Sequence, residues 1–243
     1  MVTTIKGRTA NDVFRNTAIK LLSDGHSNNP RGMETLELVD AWLTLEDPTE
    51  SVVTMPERNP NLEYLRGEME WYKSGSLFAK DIAEHSKFWS KLADTNGTVN
   101  SNYGFLSMVE KWSGKSQLEW CIDSLKKDRN TRQAIINYNQ PRHKYEGNKD
   151  FVCTISQQFV VREDKLDTVV LMRSNDLIFG LTYDMPWFSY LLQEVSKATD
   201  IPIGNYHHYA SSLHVYKKHF KMLGDIAKWT NTPTSAKQLK LSL

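Results

Sequence analysis

Between Leu171 and Asp184 the chain reads LMRSNDLIFGLTYD: an apolar run that ends in Arg173, Ser174, Asn175 and Asp176, followed by Gly180 and a second carboxylate, Asp184. An arginine beside a serine at a strand end suits a phosphate, because the guanidinium offers a charged fork and the hydroxyl an extra donor. Asp184 has two readings at this level. It belongs to a binding site, or it caps a helix that starts near Met185 and Pro186. The density of polar residues beside one strand end favours the site.

Glu68 and Cys153 carry chemistry if the fold encloses them. In the helix expected over Asn61–Tyr72, a turn of about 100° per residue puts Leu62, Leu65, Met69 and Tyr72 on one arc. Tyr64 and Trp71 lie at its margin, and Glu63, Arg66, Glu70 and Lys73 lie opposite. Glu68 falls inside the apolar arc. There an ionised carboxylate must be paired, protonated or placed in a cavity that uses it, unless the arc's edge is wet enough to solvate it. In a dry site its pKa would be raised, which suits proton transfer. Cys153 lies in a strand expected over Phe151–Arg162, whose period of two puts Phe151, Cys153, Ile155, Gln157, Phe159 and Val161 on one face. On residue type alone a small buried thiol is more often filling than nucleophile.

The elements that must position these residues can be read from pattern and punctuation. Asn11–Ser23 is a helix with Val13, Ala18, Leu21 and Leu22 available for one side and Asn11 or Asp12 as cap. The loop DGHSNNPRG follows, where Arg31 beside Gly32 is either solvated or able to close over a phosphate. Glu34–Leu45 reads as a strand. Glu84–Leu92 is a short helix carrying Phe88 and Trp89, core residues or a flat wall for a heterocycle. Ser116–Lys127 has a capping box, Ser116 with Glu119, and buries Leu118, Cys121, Ile122 and Leu125, so Cys121 is structural. Arg132–Tyr138, Phe151–Arg162 and Lys165–Met172 are strands, the last two joined by a tight Glu163-Asp164 turn. Met185–Ala198 is a helix, Asn205–Ser212 a strand, Val215–Trp229 a last amphipathic helix and 230–243 a loose tail. No repeat or composition break divides the chain, which reads as one α/β (α+β) domain over residues 1–243, a mixed sheet with helices packed on it.

Composition narrows the partners. Thirty Lys and Arg against 29 Asp and Glu leave a formal charge of +1, so no net field recruits nucleic acid or an anionic membrane. No apolar run approaches the ~20 residues of a membrane span and the N-terminus lacks a signal-peptide core, so the expected location is the cytoplasm. Two cysteines make no disulfide framework. His207, His208, His214 and His219 lack partners at ligand spacing, so no metal is expected.

Cys153, Arg173-Ser174-x-Asp176, Gly180, Asp184 and Ser212-Leu-His-Val-Tyr216 form a pattern that resembles the thymidylate synthase superfamily. Glu68-x-Glu70-Trp-Tyr-Lys-Ser74, Asn100-Ser-Asn-Tyr-Gly104 and Met172-Arg-Ser-Asn-Asp176 are similar to its deoxycytidylate hydroxymethylase branch of T-even-like phages. The resemblance runs from about Glu63 to His219 and is thin before Pro60. It implies a thymidylate synthase-like fold and a homodimer with shared active sites. Cys153 would be the nucleophile, Glu68 the proton-relay carboxylate and Tyr103 part of the proton-transfer network. Arg173 and Ser174, with Arg31, would hold the nucleotide phosphate, and Arg132 would reach into the neighbouring subunit's phosphate site. His214 and Tyr216 would bond the sugar hydroxyl, and Trp89, Asp176 and Gly180 would line the folate pocket.

Enzymes of the family that act on deoxyuridylate carry Asn at the place of Asp184. Cytosine's N4 amino group donates, so a carboxylate acceptor points to dCMP, and it can also stabilise a proton gained at N3. The implied reaction adds the Cys153 thiolate, its pKa lowered by cations such as Arg173, to C6. C5 then takes the one-carbon unit of 5,10-methylenetetrahydrofolate, and water gives 5-hydroxymethyl-dCMP. The alternatives are a dCMP methyltransferase using hydride, a dUMP hydroxymethylase, and a non-catalytic nucleotide- or RNA-binding member of the fold. Water is favoured because the C-terminal tail lacks the small apolar ending with which thymidylate synthases close their site. Two departures stand out. Arg132-Gln133 replaces two consecutive arginines, with Arg142 as a candidate compensating cation, and Thr154 follows the nucleophile where His is usual.

Overall fold

The computed structural model describes residues 2–230, so the tail expectation falls outside the described residues from 231 on. In chain order the strands are β1 (Thr3–Gly7), β2 (His26–Asn28), β3 (Thr35–Leu45), β4 (Lys111–Trp112), β5 (Lys115–Ser116), β6 (Ile135–Asn137), β7 (Thr154–Arg162), β8 (Lys165–Met172), β9 (Asn175–Asp176) and β10 (Ile203–Tyr216). The α-helices are α1 (Ala10–Asp24), α2 (Leu62–Ser74), α3 (Phe88–Leu92), α4 (Gln117–Lys127), α5 (Thr182–Thr199) and α6 (Phe220–Lys228). Eight strands belong to one large mixed sheet with packed helices, the α/β architecture expected, while β4 and β5 form a separate hairpin. The chain clusters into two compact units. The first holds the segments up to Pro60, Met172–Tyr190 and from Gly204 on, and the second holds Asn61–Leu171 and Leu191–Ile203.

In the first unit β1 pairs parallel with β3, and β3 pairs antiparallel with β10 from Leu45↔Tyr206 to Thr35↔Tyr216. Helix α1 lies against β1, β3 and α6, and buries Ala10, Val13, Phe14, Thr17, Ala18 and Leu21 at helical spacing. Its cap is Thr9, in a capping box with Asp12, rather than Asn11 or Asp12. Asn11 is occupied elsewhere: its side chain bonds the hydroxyl and the backbone N–H of Thr54, at 2.9 and 2.8 Å. Leu22, expected on the buried side, is 48% exposed. β10 overruns the expected Asn205–Ser212 at both ends and takes in Val215 and Tyr216, which the helical reading had claimed, so the final helix begins only at Phe220. The ladder with β3 wins there because Leu213 and Val215 continue the buried face of a sheet.

One irregularity in that ladder aims two residues expected in the site. Tyr206, His208 and Ala210 are buried, but the next buried positions are Leu213 and Val215, so the alternation shifts by one at Ser211–Ser212. β3 shifts at the same level, from Leu38 to Ala41, where Asp40 takes a left-handed φ of 56°. Such steps bend a strand and re-aim its side chains. Without it, His214 and Tyr216 would share the buried face with His208.

In the second unit Asn61 caps α2 through Tyr64 N at 3.0 Å, and Gly75 ends it with φ 64°, a conformation that costs glycine little. The capping box of Ser116 and Glu119 starts α4, and Cys121 is buried with its thiol pushed up to about 12 by burial, as a structural cysteine should be. β7 and β8 are joined by Glu163 (φ 49°) and Asp164 (φ 60°), both left-handed as a two-residue hairpin turn of matching twist requires. Three elements are shorter than read from sequence. The strand at Arg132–Tyr138 contracts to β6, the helix at Glu84–Leu92 to α3, and the strand at Phe151–Arg162 to β7, leaving Cys153 just ahead of it. Its expected face also splits: Gln157, Phe159 and Val161 are buried while Phe151 and Ile155 are exposed.

His208 is wholly buried, and burial pulls its pKa from 6.5 down to about 3; its Nδ1 is 2.8 Å from the Tyr206 hydroxyl. The folded state therefore resists a proton that the unfolded chain accepts. Its contribution is complete above pH 6.5 and is lost as pH falls towards 3, by ~1.4 kcal/mol per unit at most. Urea midpoints measured at pH 7 and pH 5 are expected to drop more for wild type than for His208→Gln, which has no proton to gain.

Candidate active site

The residues expected to carry the chemistry fall into both units, and each group is described by itself. In the first unit β8 runs out into Arg173 and Ser174, both half-buried, before β9 pairs parallel with β10, Asn175 opposite Leu213 and Asp176 opposite His214. Asp176, expected in a folate pocket, accepts from Ile178 N at 2.8 Å and so starts the π-helical turn Leu177–Leu181, a form common at functional sites. That turn leads straight into α5 at Thr182. Asp184 is therefore in the first turn of α5 and does not cap a helix at Met185. Its Oδ2 accepts from Asn175 Nδ2 at 2.7 Å.

The Asp184 carboxyl is pushed up to about 7. Burial is the largest cause, the bond from Asn175 pulls the other way, and the charge of Asp176 adds to the rise. Part of the residue stays accessible, yet the carboxyl is densely surrounded by protein. Such a group can hold or release a proton near neutrality.

His214 and Tyr216, the expected sugar ligands, meet edge to face at 5.2 Å, and His214 Nδ1 is buried without a hydrogen-bond partner. Tyr216 also lines a cavity of about 260 Å³ with Met33, Glu34, Lys217 and Lys218. The loop bearing Arg31 thus comes beside Tyr216. Arg31 itself is exposed and held at φ 55°, a strained value for a non-glycine residue.

Near Gly180 the exposed ring of Phe179 is flanked by Arg58 at 5.9 Å and Lys218 at 5.2 Å. Arg58 is buried and donates to the Ile178 carbonyl at 2.7 Å and to Thr182 Oγ1 at 3.3 Å. An exposed aromatic ring with two cations beside it suits a flat aromatic anion.

In the second unit Glu68 is buried in α2 at 5% exposure, which removes the solvated-edge reading. The Tyr64 hydroxyl donates to Glu68 Oε1 and accepts from the Trp89 indole N–H at 3.0 Å. Trp89 packs on Trp71 at 4.9 Å, Trp71 on Tyr72 at 5.3 Å, Tyr72 on Tyr103 at 5.4 Å and Tyr103 on Tyr138 at 5.3 Å. One aromatic row thus joins Trp89 and Tyr103 to the helix of Glu68. The glycine after Tyr103 is required by closeness: a Cβ on Gly104 would lie 1.6 Å from the Tyr72 carbonyl oxygen. Asn102 secures the same junction by donating to the carbonyls of Trp71 and Ser76, at 3.0 and 2.9 Å.

Cys153 is partly exposed, with Sγ 3.9 Å from the Phe151 carbonyl. Three positions before it, Asp150 accepts from the N–H groups of Asn100 and Ser101, each at 2.7 Å, and from Ser101 Oγ at 2.5 Å. The cysteine loop and the Asn100–Gly104 segment are thereby fastened together. Arg132 is exposed, and its carbonyl accepts from Gln158 Nε2 at 3.0 Å. Arg142 does not stand in for the arginine missing at Gln133, because its guanidinium forks onto Glu110. Burial alone would raise Glu110, but that fork outweighs it and holds the carboxyl below its usual range.

Comparison with known sequences gives the family. The thymidylate synthase family profile covers residues 12–242. The chain belongs to the thymidylate synthase family. It is 33% identical over 218 residues to the deoxycytidylate 5-hydroxymethyltransferase of Enterobacteria phage T4, covering 85% of each chain. The phage T2 enzyme of that name is 33% identical over 213 residues, 83% of this chain and 82% of the relative. The deoxyuridylate hydroxymethyltransferase of Bacillus phage SP01 is 25% identical over 240 residues, 93% of this chain and 62% of the relative. Membership and these relatives make the chain a folate-dependent one-carbon transferase. No helix among the described residues is long and apolar enough to cross a membrane.

Sequence reasoning missed Tyr64, Arg58, Phe179 and Asp150, and placed Asn175 in the polar cluster without its bond to Asp184. Only Tyr64 carried a usable signal, its i, i+4 spacing to Glu68 on one helix. Tyr64→Phe removes a hydrogen bond to a carboxylate, worth ~1.5–3 kcal/mol. The fold should persist while turnover falls roughly ten- to a hundredfold. Circular dichroism and steady-state kinetics check both; unchanged turnover would leave Tyr64 a packing residue.

Proposed function

We propose that the protein is a deoxycytidylate 5-hydroxymethyltransferase, which moves the one-carbon unit of 5,10-methylenetetrahydrofolate to C5 of dCMP and adds water. The observation that carries this reading is Asp184, a carboxyl held by Asn175 and poised near neutrality where deoxyuridylate enzymes of the family use an amide. Cytosine offers an acceptor at N3 and a donor at N4, and one carboxyl can answer both. The activity for which the T2 and T4 relatives are named supports the same base.

In this reading the Cys153 thiolate adds to C6, which makes C5 nucleophilic, and Asp184 balances the charge that develops across N3. The folate supplies the carbon at the oxidation level of formaldehyde. Glu68, with Tyr64 and Trp89 behind it, handles the protons of the later steps. Loss of the C5 proton and departure of tetrahydrofolate leave an exocyclic methylene, and addition of water there with expulsion of the Cys153 thiolate from C6 gives the hydroxymethyl group. Arg173, Ser174 and Arg31 hold the phosphate, His214 and Tyr216 the sugar, and Phe179, Asp176, Gly180 and Trp89 serve the folate. The exposed Arg132 reaches the phosphate of a partner subunit in a homodimer.

Incubation with dCMP and methylenetetrahydrofolate in ¹⁸O-water tests the reaction: the product should carry one labelled oxygen, whereas a methyl product would overturn it. Cys153→Ser should keep the fold and lose all but a few per cent of turnover, since a serine at its ordinary pKa does not add to C6. Asp184→Asn should move the dCMP to dUMP preference towards dUMP by roughly a hundredfold or more, because the wrong base leaves buried polar groups unpaired. Tritium release from both C5-labelled nucleotides reads that ratio, and an unchanged value would remove the base assignment.

A further inference from the structure

β9 is two residues long, yet it sets Asn175 opposite Leu213 of β10 and buries it to 3% exposure. The Asn175 Nδ2 donates to Asp184 Oδ2 at 2.7 Å, while Oδ1 is buried with no hydrogen-bond partner. Asp184 alone therefore orients the amide. Gly180 closes on the same pair: a Cβ there would lie 2.7 Å from Asn175 Nδ2 and 3.3 Å from Asp184 Oδ2. The chain omits a side chain where the two groups meet. A buried amide with half its bonding capacity unused is destabilising, so a role in packing alone does not account for it.

We infer that Asn175 is a positioning residue for Asp184: it holds Oδ2 as an acceptor, so that Oδ1 carries and exchanges the proton facing N3 of the pyrimidine. The inference rests on the dCMP reading above. An N–H pointing at Oδ2 disfavours a proton on that atom. A neutral carboxyl then presents Oδ1–H to the N3 acceptor, while the second lone pair of Oδ2 accepts from N4–H. Removing the amide frees the proton to sit on either oxygen and withdraws a bond that favours the ionised form.

The charged and titratable groups around the pair enter the pH dependence. Asp176 on β9 pushes Asp184 upward, with His214 opposite it on β10 and Arg173 before it in the chain. Arg58 bonds the 177–182 turn, and His219 feels both Asp176 and Arg58. None of these is altered by a change at Asn175. Because the Asn175 bond favours the ionised carboxylate, its loss raises the Asp184 pKa. Affinity that requires the neutral carboxyl is present below that pKa and is lost as pH rises through it.

Titration calorimetry of dCMP binding across neutral pH, in two buffers of different ionisation enthalpy, gives both affinity and proton uptake without folate. Wild type should lose affinity as pH rises past about 7, with proton uptake on binding above that point. Asn175→Leu should move the fall to higher pH by about one unit. Gly180→Ala, whose Cβ drives the amide off Asp184, should move it the same way. Asn175→Asp is nearly isosteric and keeps the test open should the Leu variant not fold, because a second carboxylate also raises the pKa. Affinity reduced equally at every pH, with the fall unmoved, would make Asn175 a packing residue and overturn the inference. Wild-type binding without pH dependence or proton uptake would overturn it too. Failure of wild type to bind dCMP at all would sink the substrate reading along with it, a distinguishable result.

Discussion

Asp150 illustrates the constraint on which much of the local architecture depends: a carboxylate removed from water must be met by donors, since burying it ionised and alone costs several kcal/mol. Its oxygens take two backbone N–H groups and a hydroxyl from Asn100 and Ser101, so the segment leading to Tyr103 is fixed relative to the segment leading to Cys153. Glu68 meets the same demand through Tyr64, and Tyr64 is in turn bonded by Trp89. Asp184 meets it through Asn175, but the balance is different: burial outweighs the single amide bond and the carboxyl ends near neutrality. Donor count thus separates a fastening carboxylate from one able to exchange a proton.

The aiming of His214 and Tyr216, the proposed sugar ligands, depends on backbone rather than on charge. A regular β10 would place His214 and Tyr216 on the same side as the buried His208. The paired step at Ser211–Ser212 and at Asp40 turns them to the half-exposed side. Asp40 is well chosen for its φ of 56°, because Asp tolerates the left-handed region better than most residues and its carboxylate here accepts from the Tyr209 hydroxyl at 2.6 Å. The step is a conformational cost carried by the sheet, and its return is two ring systems in edge-to-face contact at 5.2 Å where the strand ends.

How much could be read without coordinates followed the range of the interaction concerned. Glu68 was legible because a helix converts sequence spacing into a face at fixed pitch, and the capping box of α4 because its partners are three residues apart. The β10 boundary was not: Val215 and Tyr216 suit a strand or a helix, and only pairing with β3, far away in the chain, decides it. The helix-cap alternative for Asp184 stayed open in the sequence because the π-helical turn that carries the chain into α5 has no local signature, and its partner Asn175 lies on the other side of that turn. Asp150 looked like any acid in a polar loop; its partners are some fifty residues back. For Cys153 residue type alone favoured a bland reading and only motif resemblance pointed to a nucleophile, whereas Arg173 and Ser174 already stood in a polar cluster that favoured a site.

Choice of base and choice of product are physically separable in this family. In the proposed reading the base is read by the polarity of one group at the pyrimidine edge, whereas the product depends on whether water or hydride reaches an exocyclic methylene. Relatives of this chain include hydroxymethyltransferases named for deoxycytidylate, at 33% identity, and one named for deoxyuridylate, at 25%. Relatives named as hydroxymethyltransferases thus include one for either base, so the outcome with water is not tied to a single base. Conversely, a carboxylate tuned by burial against one amide bond needs no knowledge of what is later added to C5. In that reading the two selections act on different atoms at different steps.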